Sequence, residues 1–174
     1  MKQLLLLLLI TLSIHANSIL IPKSFQANFK QIVTNPKKKV INYSGKVYFS
    51  EQSKLKWEYL KPTKKEVCTS ETELLVVDHD LEQVSKYNIS KGFNLNTILE
   101  KAKYHSKNIY LTSYNDTEYT IQVDKQRKLQ SIAFYDDLDN KVQISFIGVK
   151  YKNSKLSLKK LKCTYPKDYD VIKD

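Results

Sequence analysis

Lys54-Leu55-Lys56-Trp57-Glu58-Tyr59-Leu60-Lys61-Pro62 is the stretch on which the fold turns. Leu55, Trp57 and Tyr59 alternate with charged residues, so an extended chain carries them on one face and Lys56 and Glu58 on the other. That period of two specifies a half-buried strand and excludes a one-faced helix. Pro62 ends it, since proline brings no N–H to a sheet ladder.

Working outward, Glu51-Gln52-Ser53 turns the chain out of an earlier strand in which Ile41, Tyr43, Gly45, Val47 and Phe49 share a face. Gly45 within that strand predicts a bend or bulge. Further back, Phe25 to Gln31 alternates in the same way, and Asn35-Pro36-Lys37-Lys38-Lys39 supplies a turn with a charged tip. Downstream, strands are expected over Lys65 to Thr69, Leu74 to Val77 and Leu81 to Tyr87, with acidic and polar turns between them.

The pattern changes between Gly92 and Tyr104, where Leu95, Ile98, Leu99 and Ala102 fall at helical spacing and Asn94 or Asn96 offers a cap. Strands return as a meander through Ile109–Tyr114, Tyr119–Asp124, Leu129–Tyr135 and Val142–Tyr151, linked by Asp/Asn-rich turns. A last strand is expected from Leu156 to Thr164, ending at Pro166. The fold class is therefore mainly β, about ten to eleven antiparallel strands with one helix inserted midway, and that many twisted strands curl into a barrel or part of one.

Met1-Lys2, the apolar run Leu4 to Ile14 and the small Ala16 read as a secretory signal peptide over 1–16, too short for the roughly 20 apolar residues of a membrane span. The mature chain is expected to begin near Asn17 and to form one domain over 17–174, a length suited to a single core. The 29 basic and 18 acidic residues give +11, and loss of Lys2 leaves +10. Such an excess favours an anionic partner. Export argues against nucleic acid, and lysines scattered between strand residues also fit an ordinary solvated sheet face.

Cys68 and Cys163 are the two cysteines. An oxidising compartment permits a bond between them, while small hydrophobic packing is the alternative. No metal or other cofactor is expected, because neither His79 nor His105 has ligand spacing with a cysteine. Nor does the chain carry a Gly-x-Ser-x-Gly elbow, and the acidic pairs Asp78/Asp80 and Asp136/Asp137 sit in turns that ordinary turn chemistry explains. An enzyme is not expected.

The apolar face admits two readings. Phe29, Phe49, Leu55, Trp57, Leu75, Ile132, Phe134, Ile144 and Phe146 either fill a barrel core or line a cavity left by an unclosed sheet.

Taken in order, Phe25-x-Ala27-x-Phe29-x-Gln31, Ser44-Gly45-x-Val47-x-Phe49, Leu55-Lys56-Trp57-Glu58-Tyr59 with Pro62, and Asp78-x-Asp80-Leu81-x-Gln83-Val84 resemble the periplasmic outer-membrane lipoprotein carrier family, LolA. The closing segment, Leu161-x-Cys163-x-x-Pro166-Lys167-Asp168-Tyr169-Asp170-Val171-Ile172, resembles that family's C-terminal strand and turn. The resemblance implies an incomplete barrel with a helical lid over a hydrophobic cavity for acyl chains, in a monomeric periplasmic chaperone. Its implied partners are acylated lipoproteins, the inner-membrane ABC transporter LolCDE and an outer-membrane receptor such as LolB. A periplasmic lipid- or glycolipid-binding module on the same architecture is the alternative.

By this resemblance Leu55 and Trp57 line the cavity near its mouth, Phe29, Val47, Phe49 and Leu75 lie deeper, and Ile98 and Leu99 sit on the lid. Leu81, Ile132, Phe134, Ile144 and Phe146 complete the expected acyl-binding set. The chain departs from the family pattern at the arginine thought to latch the lid, where Glu51-Gln52 stand, and at Leu55, often phenylalanine. The few residues between Asn17 and Phe25, interrupted by Pro22, leave little of the N-terminal lid helix. After Ile172 the chain stops without the added strand some relatives have.

Overall fold

The computed structural model describes residues 18–50, 54–70, 72–89 and 94–173. The expected signal peptide and Glu51 lie outside the described residues. The first half of the sheet comprises β1 (Ser24–Thr34), β2 (Val40–Ser50), β3 (Lys54–Lys61), β4 (Lys65–Thr69), β5 (Glu73–Asp78) and β6 (Gln83–Asn88). After helix α1 (Leu95–Lys101) come β7 (Lys103–Ser106), β8 (Ile109–Tyr114), β9 (Thr117–Val123), β10 (Leu129–Tyr135) and β11 (Lys141–Lys152). One helical turn, α2 (Leu158–Leu161), and β12 (Asp170–Lys173) complete the chain.

All twelve strands form one sheet in the order β12-β6-β5-β4-β3-β2-β1-β11-β10-β9-β8-β7. Two antiparallel meanders meet at the β1–β11 seam, and the terminal strands β12 and β7 do not pair with one another, so the sheet is unclosed. It is nevertheless strongly curled. The rings of Trp57 on β3 and Phe146 on β11 lie 6.1 Å apart, although a flat sheet would separate strands three places apart by about 14 Å. Leu55, Trp57 and Tyr59 face the inside of this curl, as their alternation requires, while Lys56 and Glu58 face out.

Inside, Phe25 stacks on Phe49 at 5.2 Å and Phe29 meets Trp57 edge-to-face at 4.9 Å. Helix α1, capped by Asn94 Oδ1 accepting from the Thr97 N–H, presses Leu95, Ile98 and Leu99 into the same core. It spans the connection from β6 to β7 at the opposite edge. Gly45 marks the expected irregularity, with the β2–β3 register shifting between Ser44 and Gly45. Any Cβ there would run into the Glu58 carbonyl and the Phe29 ring.

The C-terminal segment corrects the sequence reading. Leu156 to Thr164 is not a strand; it is a strap across the outer face, with α2 at its middle. Ser24 Oγ donates to the Ser154 carbonyl, the Leu156 N–H to Ser50 Oγ, and Lys56 Nζ to the Lys162 carbonyl. The Cys68–Cys163 disulfide then pins the strap to β4. The apparent alternation misled because only Leu156, Leu161 and Cys163 are buried, while Leu158 points to solvent. Beyond the strap, β12 adds to β6 in parallel, which corrects the expectation of no further strand. Its Val171 and Ile172 are both exposed, so its pairing rests on backbone groups and left no hydrophobic pattern to read.

Candidate functional site: an apolar cleft between the limbs of the sheet

The curl holds a continuous hydrophobic core and has an opening toward one end. A cleft of about 420 Å3 lies there, between Leu55, Trp57, Tyr59, Val67 and Leu74 on one limb and Tyr119, Phe134 and Ile144 on the other. Its size falls within the roughly 300 to 1,000 Å3 of small-molecule pockets. Asn115, Thr117, Tyr135, Asp136 and Asp137 border it as well, which places the mouth at the β8–β9 and β10–β11 turns.

Trp57 is the floor of this cleft. It lines the opening while its ring packs on Phe29 and Phe146, so it divides the filled interior from the vacant part. Tyr59 stands nearer the mouth, donating to Gln31 Oε1 at 2.9 Å and meeting Phe29 edge-to-face. Burial, and to a lesser degree the neighbouring Tyr43, push its phenol up to about 12, so the side chain is neutral at physiological pH. Burial also raises Tyr119. The cleft wall is thus aromatic and aliphatic with uncharged hydroxyls.

Charge is confined to the rim. Partial burial works to raise the Asp136 pKa, but hydrogen bonds from Asn140 and from the Leu138 N–H outweigh it and hold the carboxyl low. Its oxygens are occupied in holding the β10–β11 turn, and that explains this acidic residue structurally.

Of the residues expected to bind acyl chains, Leu55, Trp57, Phe134 and Ile144 line the opening. Phe29, Val47, Phe49, Ile132, Phe146, Ile98 and Leu99 are buried behind it in the continuous core. Helix α1 packs into this core, and none of its residues is among those that line the cleft. Two expected residues are misplaced. Leu75 pairs with Cys68 across β4–β5 and faces outward in a separate cluster with Val77 and Val84. The inward residue is Leu74, one place earlier, because the unbroken apolar run Leu74–Val77 carries no alternation to set its register. Leu81 lies in the β5–β6 turn and is 69% exposed.

The sequence reading missed Tyr59, Val67, Leu74 and Tyr119 as lining residues. Tyr59 shares the alternation of Leu55 and Trp57, and Tyr119 that of Ile121 and Val123, so both were available from periodicity. The disulfide left open by the sequence is formed, with Cα atoms 5.9 Å apart. Among the described residues one group of potential metal ligands, Glu66, Cys68 and Cys163, lies close together, and its sulfurs are bonded to each other.

Residues 22–164 match the family model for the outer membrane lipoprotein carrier protein LolA. An outer-membrane lipoprotein carrier protein of Campylobacter jejuni is 33% identical over 150 residues, spanning 86% of this chain and 86% of its own length. Its counterpart in Helicobacter hepaticus is 30% identical over 150 residues, 86% of this chain and 83% of that one. A crystal structure of an uncharacterized conserved protein from Thermus thermophilus shares the fold, with TM-score 0.55 at 15% identity, covering 88% of this chain and 92% of that chain. The chain belongs to the LolA family of outer membrane lipoprotein carrier proteins.

Proposed function

We propose that this protein is a periplasmic chaperone that receives lipoproteins at the inner membrane, shields their acyl chains in the cleft above Trp57, and delivers them to the outer membrane. It performs no chemistry on its cargo. Its donor is the transporter LolCDE, and its acceptor the outer membrane, through a receptor of the LolB kind. Export with a cleaved leader over 1–16 brings it to the periplasm.

The observation that carries this reading is an apolar cleft held open between two limbs of an unclosed sheet. Burial of each methylene gains about 0.8 kcal/mol, so an acyl chain in water is driven into any membrane or aggregate it meets. A carrier offsets that with an apolar wall, and the neutral phenols of Tyr59 and Tyr119 impose no single pose. Because the wall joins β3, β4 and β5 of one limb to β9, β10 and β11 of the other, with no ladder between the limbs across the gap, separating them enlarges the cleft without breaking a ladder. A longer chain would displace α1 from the core, and this is the role left to Ile98 and Leu99.

The test is release of lipoproteins from inner-membrane vesicles by Leu55→Glu and Trp57→Glu. A carboxylate with no partner in the cleft is costly to bury, and both variants should fail to release cargo while remaining folded.

A further inference from the structure

The strap does more than tie the sheet together. Between α2 and the outer face of β1, β2, β3 and β11 it walls a groove of about 740 Å3. Lys46, Lys150, Lys159 and Lys160 surround this groove, and all four are exposed. A fifth lysine, Lys56, lies at its base, bound to Glu58 and Glu66 at 3.3 and 3.0 Å and to the Lys162 carbonyl. Among the described residues Glu58 is the one carboxylate that lines the groove, and Lys56 answers it.

The surrounding chain is equally one-sided. No aspartate or glutamate occurs between residues 18 and 50 or between 141 and 167, the two segments that supply most of the groove. Among the described residues, none of the four rim lysines makes an ion pair. Gln26, Asn28, Tyr48 and Ser157 add neutral hydrogen-bonding groups between them. The β1–β11 register jumps opposite Ala27, and Gly148, at φ +64° with open space around it, forms the bulge that deepens the floor.

Exposed aliphatic side chains stand on two of the elements that carry these lysines, and Leu158 lines a neighbouring hollow with Leu75 and Leu161. Leu158 on α2 is 68% exposed and Ile147 on β11 45%. Unpaired lysines interleaved with exposed aliphatics are what an interfacial surface needs: the ammonium groups reach lipid phosphates and the apolar tips enter the acyl boundary. An acidic protein partner would account for the lysines alone.

We propose that this outer-face groove docks the protein on anionic phospholipid headgroups at a membrane surface, independently of the acyl-binding cleft. Phosphate oxygens sit among Lys46, Lys150, Lys159 and Lys160, with Leu158 and Ile147 against the bilayer.

The experiment is sedimentation of the purified, cargo-free protein with vesicles of phosphatidylcholine alone or mixed equally with phosphatidylglycerol. Two charge-matched variants are compared, Lys46→Glu/Lys150→Glu/Lys159→Glu/Lys160→Glu and Lys37→Glu/Lys38→Glu/Lys39→Glu/Lys64→Glu, each verified as folded by circular dichroism. The expected result is binding to the anionic vesicles only, weakened about tenfold or more in the groove variant and far less in the other, and weakened by raising salt. Glycerol 3-phosphate at the same headgroup concentration should not compete, which separates a bilayer from free phosphate. Leu158→Ser should weaken binding without changing its salt dependence. Equal losses in the two charge variants, undiminished binding by the groove variant, competition by glycerol 3-phosphate or no binding to anionic vesicles would each overturn the proposal. None of these outcomes bears on cargo release, which is measured separately.

Discussion

The Lys56 ammonium donates to the main-chain carbonyl of Lys162, 106 residues further on, at 3.1 Å. The same ammonium bridges Glu58 and Glu66, and Glu66 in turn accepts from the Thr164 N–H at 3.0 Å. Lys56 is 5% exposed. One buried cation therefore holds the strap against β3 and β4 from both sides of the disulfide.

Lys56→Met preserves the shape of the stem and removes the charge. Two carboxylates are then left facing each other with no cation, a loss that for buried pairs costs about 3 kcal/mol or more. Glu58 retains part of its hydration, so about 2 kcal/mol is expected, read as a lowered urea midpoint at pH 7. Adding Glu58→Gln and Glu66→Gln to Lys56→Met should recover much of that loss.

Removal of the covalent tie should act locally as well as globally. Cys68→Ser/Cys163→Ser is expected to lose about 2 to 4 kcal/mol, since the bond closes a long loop in the unfolded chain. Amide exchange should quicken across 154–173 and remain slow at the β1–β11 seam. Uniform quickening through the whole sheet would mean that the strap is no separate unit.

Gly45→Ala tests the closest approach of two strands. The added methyl meets the Glu58 backbone and the Phe29 ring, and neither can move without disturbing the β2–β3 ladder. A destabilisation on the order of 3 kcal/mol follows, measured as a lower thermal midpoint. An unchanged midpoint would show that the bulge can relax.

Alkaline pH should weaken the fold through two half-buried phenols. Tyr59 and Tyr151 are both pushed up to about 12, chiefly by burial, whereas an unfolded tyrosine titrates near about 10. Between those values the native state holds protons that the unfolded state has released, so stability falls as pH rises. The contribution is complete below about pH 10 and lost by about pH 12. Tyr59→Phe should flatten the slope of stability against pH in that window.

The strands that build the cleft were legible where a period of two survives, as in Leu55-Lys56-Trp57-Glu58-Tyr59, and where a glycine or proline marks an interruption, as at Gly45 and Pro62. The helix was legible for the same kind of reason, through Leu95, Ile98 and Leu99, while the choice between Asn94 and Asn96 as cap was settled by the structure in favour of Asn94. What escaped lacks period. In Leu74-Leu75-Val76-Val77 both faces of the strand are apolar, because one meets the cleft and the other the cluster around Cys163. The strap was misread because residues five and seven apart, Leu156, Leu161 and Cys163, are buried by crossing a sheet rather than by joining it. Whether an apolar face meets another or encloses space is a matter of global curl, and no local pattern in this chain encodes it.

Acyl occupancy of the cleft is tested most directly by native mass spectrometry of the protein purified from its own cells. The account predicts an acylated protein bound to the wild type, and none bound to a folded Trp57→Glu variant. A wild type that carries no acylated species when its lipoproteins are in transit, or a Trp57→Glu variant that carries the same load, would contradict it.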